Sequence, residues 1–230
     1  MFYTIARKRG YSHPSAQIPL NYSVVLTCFV DLYSKDKYCL LNNNKKGCFF
    51  LYIMNKKELR TQIKRYNKAV SPQERVAAAK AVFAKVEASE AFRDAECVGF
   101  FSALPDELAT DEFLDRWSAM KRIVVPKVDG DEMDFFEFSR AKMSEGAFGI
   151  MEPAADARLV DPSQIDLMVV PGVAFTLKGA RMGRGRGYYD KYLSRAGFRA
   201  VKVGVCYAHQ IVNDLPVEPH DIFMDFVVHD

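Results

Sequence analysis

The chain has 230 residues, 49% of them hydrophobic, and a formal charge of +3 from 32 Lys and Arg against 29 Asp and Glu. This content suffices for a core and excludes a disordered, collagen-like or disulfide-scaffold chain. So mild a charge does not by itself indicate a nucleic acid or membrane partner.

The charge is unevenly placed. Residues 1–53 hold seven bases (Arg7, Lys8, Arg9, Lys35, Lys37, Lys45, Lys46) against Asp31 and Asp36, a net +5, while the remainder nets −2. Gly10 and Pro14, not an apolar run, follow Arg9, and the stretch 24–33 is short and broken by Asp31. Neither a signal peptide nor a membrane span is expected. Residues 1–53 read either as an N-terminal extension, ordered or not, or as upstream sequence ahead of a true start at Met54. The second reading is favoured, because Met54-Asn55-Lys56-Lys57-Glu58 looks like an ordinary cytosolic N-terminus. Cys28, Cys39 and Cys48 have no evident partners and fit reduced thiols, so the expected location is the cytoplasm.

Residues 54–230 form one domain in this reading. Residues 55–68 predict an amphipathic helix with Leu59, Ile63 and Tyr66 inward and Lys56, Arg60 and Lys64 on another face. That basic face is either solvated or an anion site, since two cations one turn apart can grip a polyphosphate. Ser71-Pro72-Gln73-Glu74 is a capping box with Pro at the first helical position, opening a helix to about residue 88. Its expected core positions are Val76, Ala79, Val82, Phe83 and Val86. A buried strand is expected over 97–104 and a helix over 110–120, with Phe113, Leu114 and Trp117 inward. A strand over 122–128 turns at Asp129-Gly130-Asp131 into a partner over 133–138. Further strands are expected over 166–170, 200–206 and 223–228. Alternating strands and helices imply an α/β fold, a mostly parallel sheet covered on both faces.

The segment PGVAFTLKGARMGRGRGYYD, residues 171–190, carries the chemistry. It follows a strand and runs into a predicted helix at Tyr188. Gly183, Gly185 and Gly187 let backbone approach a ligand closely, and their N–H groups can line an anion. Arg181, Arg184 and Arg186 can donate paired hydrogen bonds to phosphate. The segment is neither a Walker A loop nor a GxGxxG turn. From these residue types alone, a basic loop that binds nothing and an Arg-Gly contact to RNA stay open.

The full string resembles the C-terminal signature of the 5-formyltetrahydrofolate cyclo-ligase family. Lys56-Lys57-Glu58-Leu59-Arg60, Pro105 to Thr110 and Leu215 to Asp221 resemble further family segments, in order, so the resemblance spans 54–230. It implies a three-layer α/β/α, Rossmann-like domain of the kind shared with sugar-phosphate isomerases and CoA transferases. It also implies ATP- and Mg²⁺-dependent conversion of 5-formyltetrahydrofolate to 5,10-methenyltetrahydrofolate. The implied partner is that folate, with no nucleic acid and no membrane, acting on a monomer.

The resemblance further implies roles by position. Lys56 and Arg60 match ATP-phosphate ligands; Arg181, Met182, Gly183, Arg184, Gly185, Arg186, Gly187, Tyr188 and Tyr189 match the ATP loop. Arg184, Gly185, Arg186, Gly187 and Tyr188 also face the folate, with Arg184, Arg186 and Tyr188 as catalytic residues. Glu107 matches the folate-binding acid, and Asp190 and Asp221 the Mg²⁺ ligands. Each has a plainer alternative: Asp190 as a partner of Arg, Asp221 as a turn residue, Glu107 as a charge at a helix start. Met182, Arg186 and Thr176 depart from the common Leu, Lys and acid. His209, His220 and His229 form no metal-ligand spacing. The alternatives to a cyclo-ligase are an RNA-binding module using the Arg-Gly loop and an enzyme of the same fold with another phosphoryl substrate.

Overall fold

The computed structural model describes residues 38–39, 53–146 and 151–230. The reading of 1–53 as an extension or upstream sequence falls almost wholly outside these residues. Two short strands, β1 (Tyr38–Cys39) and β2 (Ile53–Met54), pair antiparallel ahead of helix α1 (Lys56–Ala69). Among the described residues no helix is long and apolar enough to cross a membrane.

A six-stranded sheet organises the rest. In chain order its strands are β3 (Cys97–Gly99), β4 (Arg122–Asp129), β5 (Glu132–Glu137), β8 (Leu167–Pro171), β11 (Val201–Cys206) and β12 (Phe226–His229). In space they run β12-β11-β8-β3-β4-β5. Every neighbouring pair is parallel except the β4–β5 hairpin. That hairpin turns where Asp129 faces Glu132, with Gly130 at φ 57°, as the Asp-Gly pair predicts.

The β8 sequence shows why this sheet is buried on both sides. Leu167 and Val169 join a cluster with α2 (Pro72–Glu87), α3 (Glu90–Asp94) and α4 (Asp111–Ser118). Met168 and Val170 face the opposite layer, with Tyr192 and Leu193 of α5 (Tyr188–Leu193). Alternation with no polar position is what a strand covered on both faces needs. Trp117 anchors the first layer, with ring centroids 4.7 Å from Phe100 and 4.6 Å from Phe92. The α/β fold with a mostly parallel sheet is therefore as the sequence predicts.

Two caps set where the first helices begin. The Ser71 hydroxyl accepts from Glu74 N–H while Glu74 accepts from Ser71 N–H. Asn55 and Glu58 make the same reciprocal box ahead of α1. Hydrophobic Leu59 and Ile63 then pack α1 on Val173, Ala174, Ala180 and Met182. These belong to or adjoin a small hairpin of β9 (Ala174–Phe175) and β10 (Arg181–Met182).

Several expectations are corrected. Tyr66 is 40% exposed, and the third inward position of α1 is Asn67. Val76 is 45% exposed and Ala78 is buried beside Ala79. The strand expected over 97–104 ends at Gly99; Phe100 N–H still donates to the Val124 carbonyl at 2.8 Å and Phe100 and Phe101 stay buried, and the chain turns at 105–107. Phe223 is exposed and the last strand starts only at Phe226. Short α3, the β9–β10 hairpin and the pair β6 (Met143–Glu145) with β7 (Met151–Pro153) lack a sequence period long enough to read.

Candidate active site

The chain lays down β3, adds β4 and β5 on one side, then crosses to place β8 on the other. Strand order therefore reverses between β3 and β8, and the carboxyl ends of these strands diverge into a crevice. A cleft of about 1640 Å³ opens there. Every residue that the sequence reading assigns to ATP, folate or metal lines it, from Lys56 and Arg60 through Glu107 to the loop 181–189, Asp190 and Asp221.

The Arg-Gly loop leaves the β9–β10 hairpin. The hairpin's turn is closed by Thr176, whose buried hydroxyl accepts from Ala180 N–H at 3.1 Å. This gives a local role to the Thr that departs from the family's common acid. Beyond β10, Gly185 has φ 101° and Gly187 has φ 71°. Side chains are rarely found in such conformations, so glycine is needed at both positions for the loop to fold back over the cleft. Arg60 Nε donates to the Gly183 carbonyl at 3.0 Å and ties the loop to α1.

The three loop arginines differ in kind. Arg181 is buried in the wall, with Nη2 donating to Asp190 Oδ2 at 2.8 Å and Nη1 reaching the Pro171 carbonyl at 3.4 Å. Arg184 crosses the cleft: it donates to Glu107 Oε1 from Nε at 3.0 Å and from Nη2 at 2.8 Å, and to Asp106 Oδ1 at 2.7 Å. Burial works against its charge, but the hydrogen bond to Asp106 and the charge of Glu107 outweigh it and raise its pKa. Arg186 is exposed and makes no ion pair among the described residues. Met182, by contrast, is buried between α1 and the hairpin, so its side chain packs.

The two aspartates are already engaged. Asp190 accepts from Arg181 on one oxygen and from Ile222 N–H at 3.2 Å on the other. Asp221 Oδ2 accepts from Glu218 N–H at 2.7 Å. A carboxylate oxygen carries more than one acceptor direction, so these bonds leave room for a ligand. Among the described residues no group of three or more His, Cys, Asp or Glu converges as a metal site. Two carboxylates do fit Mg²⁺, which keeps several waters and takes phosphate oxygens as its other ligands.

Aromatic and cysteine side chains complete the site's surroundings. The Tyr188 hydroxyl donates to the Gly130 carbonyl at 3.1 Å, linking α5 to the β4–β5 turn. Burial, with the charge of Glu107, pushes the Tyr189 phenol upward, so it stays protonated. Cys97 and Cys206 are buried free thiols. Burial pushes Cys97 up to about 11, which makes it a core residue and no nucleophile.

Three cleft-lining groups were not assigned from sequence. The cation row of α1 continues past Lys64 to Lys68, one more helical turn, and Arg75 of α2 joins it. The i, i+4 spacing already contained Lys68. Asp106, beside Glu107, shares Arg184. At the other end Lys56 pairs with Glu218 at 2.7 Å, which holds the Glu218 carboxyl below its usual range.

Comparison with known proteins identifies the family. The model of the 5-formyltetrahydrofolate cyclo-ligase family matches residues 53–230. A 5-formyltetrahydrofolate cyclo-ligase from Mus musculus is 26% identical over 189 residues, covering 76% of this chain and 93% of that protein. One from Escherichia coli K12 is 32% identical over 141 residues, covering 58% of this chain and 78% of that protein. The solved structure of Aquifex aeolicus 5,10-methenyltetrahydrofolate synthetase matches with TM-score 0.68 at 34% identity, over 75% of this chain and 88% of that one. The matched range contains every strand of the central sheet and every residue lining the cleft, and the chain belongs to the 5-formyltetrahydrofolate cyclo-ligase family.

Proposed function

We propose that the protein converts 5-formyltetrahydrofolate to 5,10-methenyltetrahydrofolate at the expense of ATP, with Mg²⁺, releasing ADP and phosphate. The observation that carries this reading is the single cleft in which a cation row and Arg-Gly loop face an acidic turn. One substrate is a polyphosphate and the other a pterin rich in N–H donors, so the two kinds of wall suit the two kinds of ligand.

The chemical problem is a poor electrophile with a poor leaving group. ATP supplies the phosphoryl group that makes the formyl oxygen a leaving group, and Mg²⁺ offsets charge on the phosphates. N10 then bonds to the formyl carbon and gives up its proton to the departing phosphate or to water, the C–O bond breaks, phosphate leaves and the five-membered ring is closed. The protein's task is positioning and charge stabilisation. Lys56, Arg60 and Arg186 hold phosphate oxygens. Gly183, Gly185 and Gly187 bring the backbone near them, and Met182 and Tyr189 shape the loop from behind. Arg181 fixes Asp190, which with Asp221 would hold Mg²⁺. Glu107 accepts from the pterin's amino and ring N–H groups, and Arg184 and Tyr188 stand between the two ligands.

The RNA-binding alternative is weakened by the pairing of the loop. Among the described residues Arg181 is spent on Asp190 and Arg184 on Asp106 and Glu107, which leaves Arg186 as the loop's open cation. We further propose that the enzyme acts as a monomer in the cytoplasm: the proposed ligand groups all come from this chain, and its buried free cysteines suit a reducing compartment.

The test is direct. Protein, 5-formyltetrahydrofolate, Mg²⁺ and ATP are mixed, and the methenyl chromophore and ADP are followed together. The expected result is one ADP for each methenyl product. Folded protein that forms no chromophore contradicts the proposal.

A further inference from the structure

The inward stripe of α1 runs Leu59, Ile63, Asn67, and its third member is polar although only 4% exposed. Burying an amide where a leucine would pack is unfavourable unless its hydrogen bonds are met. They are met in a specific way. Asn67 Nδ2 donates to the main-chain carbonyl of Asp106 at 3.0 Å. Its Oδ1 must then accept, and the group 2.6 Å away is His209 Nε2. His209 therefore carries its proton on Nε2.

A second donor reaches the next peptide. The Tyr207 hydroxyl donates to the Glu107 carbonyl at 3.0 Å. The Tyr207 and His209 rings stack at 5.3 Å with an interplanar angle of 8°. Two consecutive carbonyls of the acidic turn are thus held from different elements, α1 and the segment after β11. The turn's own geometry completes the grip, since Glu107 Oε2 accepts from Leu104 N–H at 3.1 Å and Oε1 is left for Arg184. Asn67, Tyr207 and His209 are not among the residues that line the cleft.

We propose that Asn67, Tyr207 and His209 are positioning residues, which fix the peptide groups of the Asp106–Glu107 turn and thereby aim its carboxylates at Arg184 and the folate. This rests on the reading of Glu107 as the folate-binding acid. A role confined to stability would lower the thermal midpoint and leave both Michaelis constants alone. A positioning role separates the two substrates.

The experiment uses the full chain and measures KM for 5-formyltetrahydrofolate and for ATP, with thermal unfolding alongside. Tyr207→Phe removes one hydroxyl at nearly constant shape, and His209→Ala removes the donor to Asn67. Each is expected to raise the folate KM about five- to tenfold, as losing a buried hydrogen-bond partner does, and to leave the ATP KM within about twofold. His209→Gln, whose amide N–H can reach Asn67, is expected to restore the folate KM. Variants that fold and turn over with both KM values unchanged, or with both raised alike, overturn the positioning role. Wild-type protein that turns over no folate overturns the functional reading first, which keeps the two failures distinct.

Discussion

At the residue scale, Asp190 is asked to do two things. Its carboxylate neutralises Arg181, whose side chain is 3% exposed, and it lines the cleft, where the proposed reaction would have it hold Mg²⁺. The sequence offered these as alternatives, and the geometry makes them compatible. Removing one member of a buried pair leaves the other charge without compensation, at a cost of about 3–5 kcal/mol. Asp190→Ala should therefore lower the thermal midpoint as well as raise the Mg²⁺ concentration needed for turnover. Asp221→Asn, with no such buried partner, should raise the Mg²⁺ requirement with little change in melting. Titrating Mg²⁺ in the activity assay and melting each variant checks both.

The cysteines give a second residue-scale prediction. Burial raises the Cys97 thiol to about 11, and Cys206 is raised as well, so both are neutral at physiological pH. Iodoacetamide should leave both unmodified in the native protein and label both after denaturation, as read by peptide mass spectrometry. These protons stabilise the fold below the ordinary thiol range, and that contribution is lost as pH climbs towards 11. Sequence alone placed both thiols in buried strands, which is why their inertness was legible.

At the element scale, α1 shows what a period can and cannot tell. Its helix, its apolar face and its cation row were readable, because all three follow from spacing. Which residue would fill the last inward position was not. Tyr66 and Asn67 are adjacent, and the choice depends on the acidic turn that packs against the helix from 39 residues away. The cation row spans about 18 Å from Lys56 to Lys68 at 1.5 Å per residue. Its far half, Lys64 and Lys68, has no ion pair among the described residues, and folate carries carboxylates on its tail. The double change Lys64→Glu, Lys68→Glu should raise the folate KM severalfold, with an effect that shrinks as salt is added. An unchanged KM would make this half of the row a solvated face.

At the scale of the whole molecule, the site exists because of strand order. Alternating strands and helices were enough to read a parallel sheet, but not the point at which the order reverses. That point depends on β8 pairing with β3, Val98 opposite Leu167, 69 residues on in the sequence, a choice no local period encodes. The Arg-Gly loop and the acidic turn are far apart in the chain and become neighbours only there. The family resemblance supplied their roles before the fold supplied their proximity.

In the proposed reaction one cleft holds the nucleotide against Lys56, Arg60 and the Arg-Gly loop, and the folate against the acidic turn, with its tail towards Lys64 and Lys68. The most direct measurement compares Arg60→Ala with Glu107→Gln, determining KM for ATP and for 5-formyltetrahydrofolate in each. A crossed result is expected: Arg60→Ala raises the ATP KM and Glu107→Gln raises the folate KM, each with little effect on the other. If Arg60→Ala changes only the folate KM, or Glu107→Gln only that of ATP, the two walls have been assigned the wrong way round.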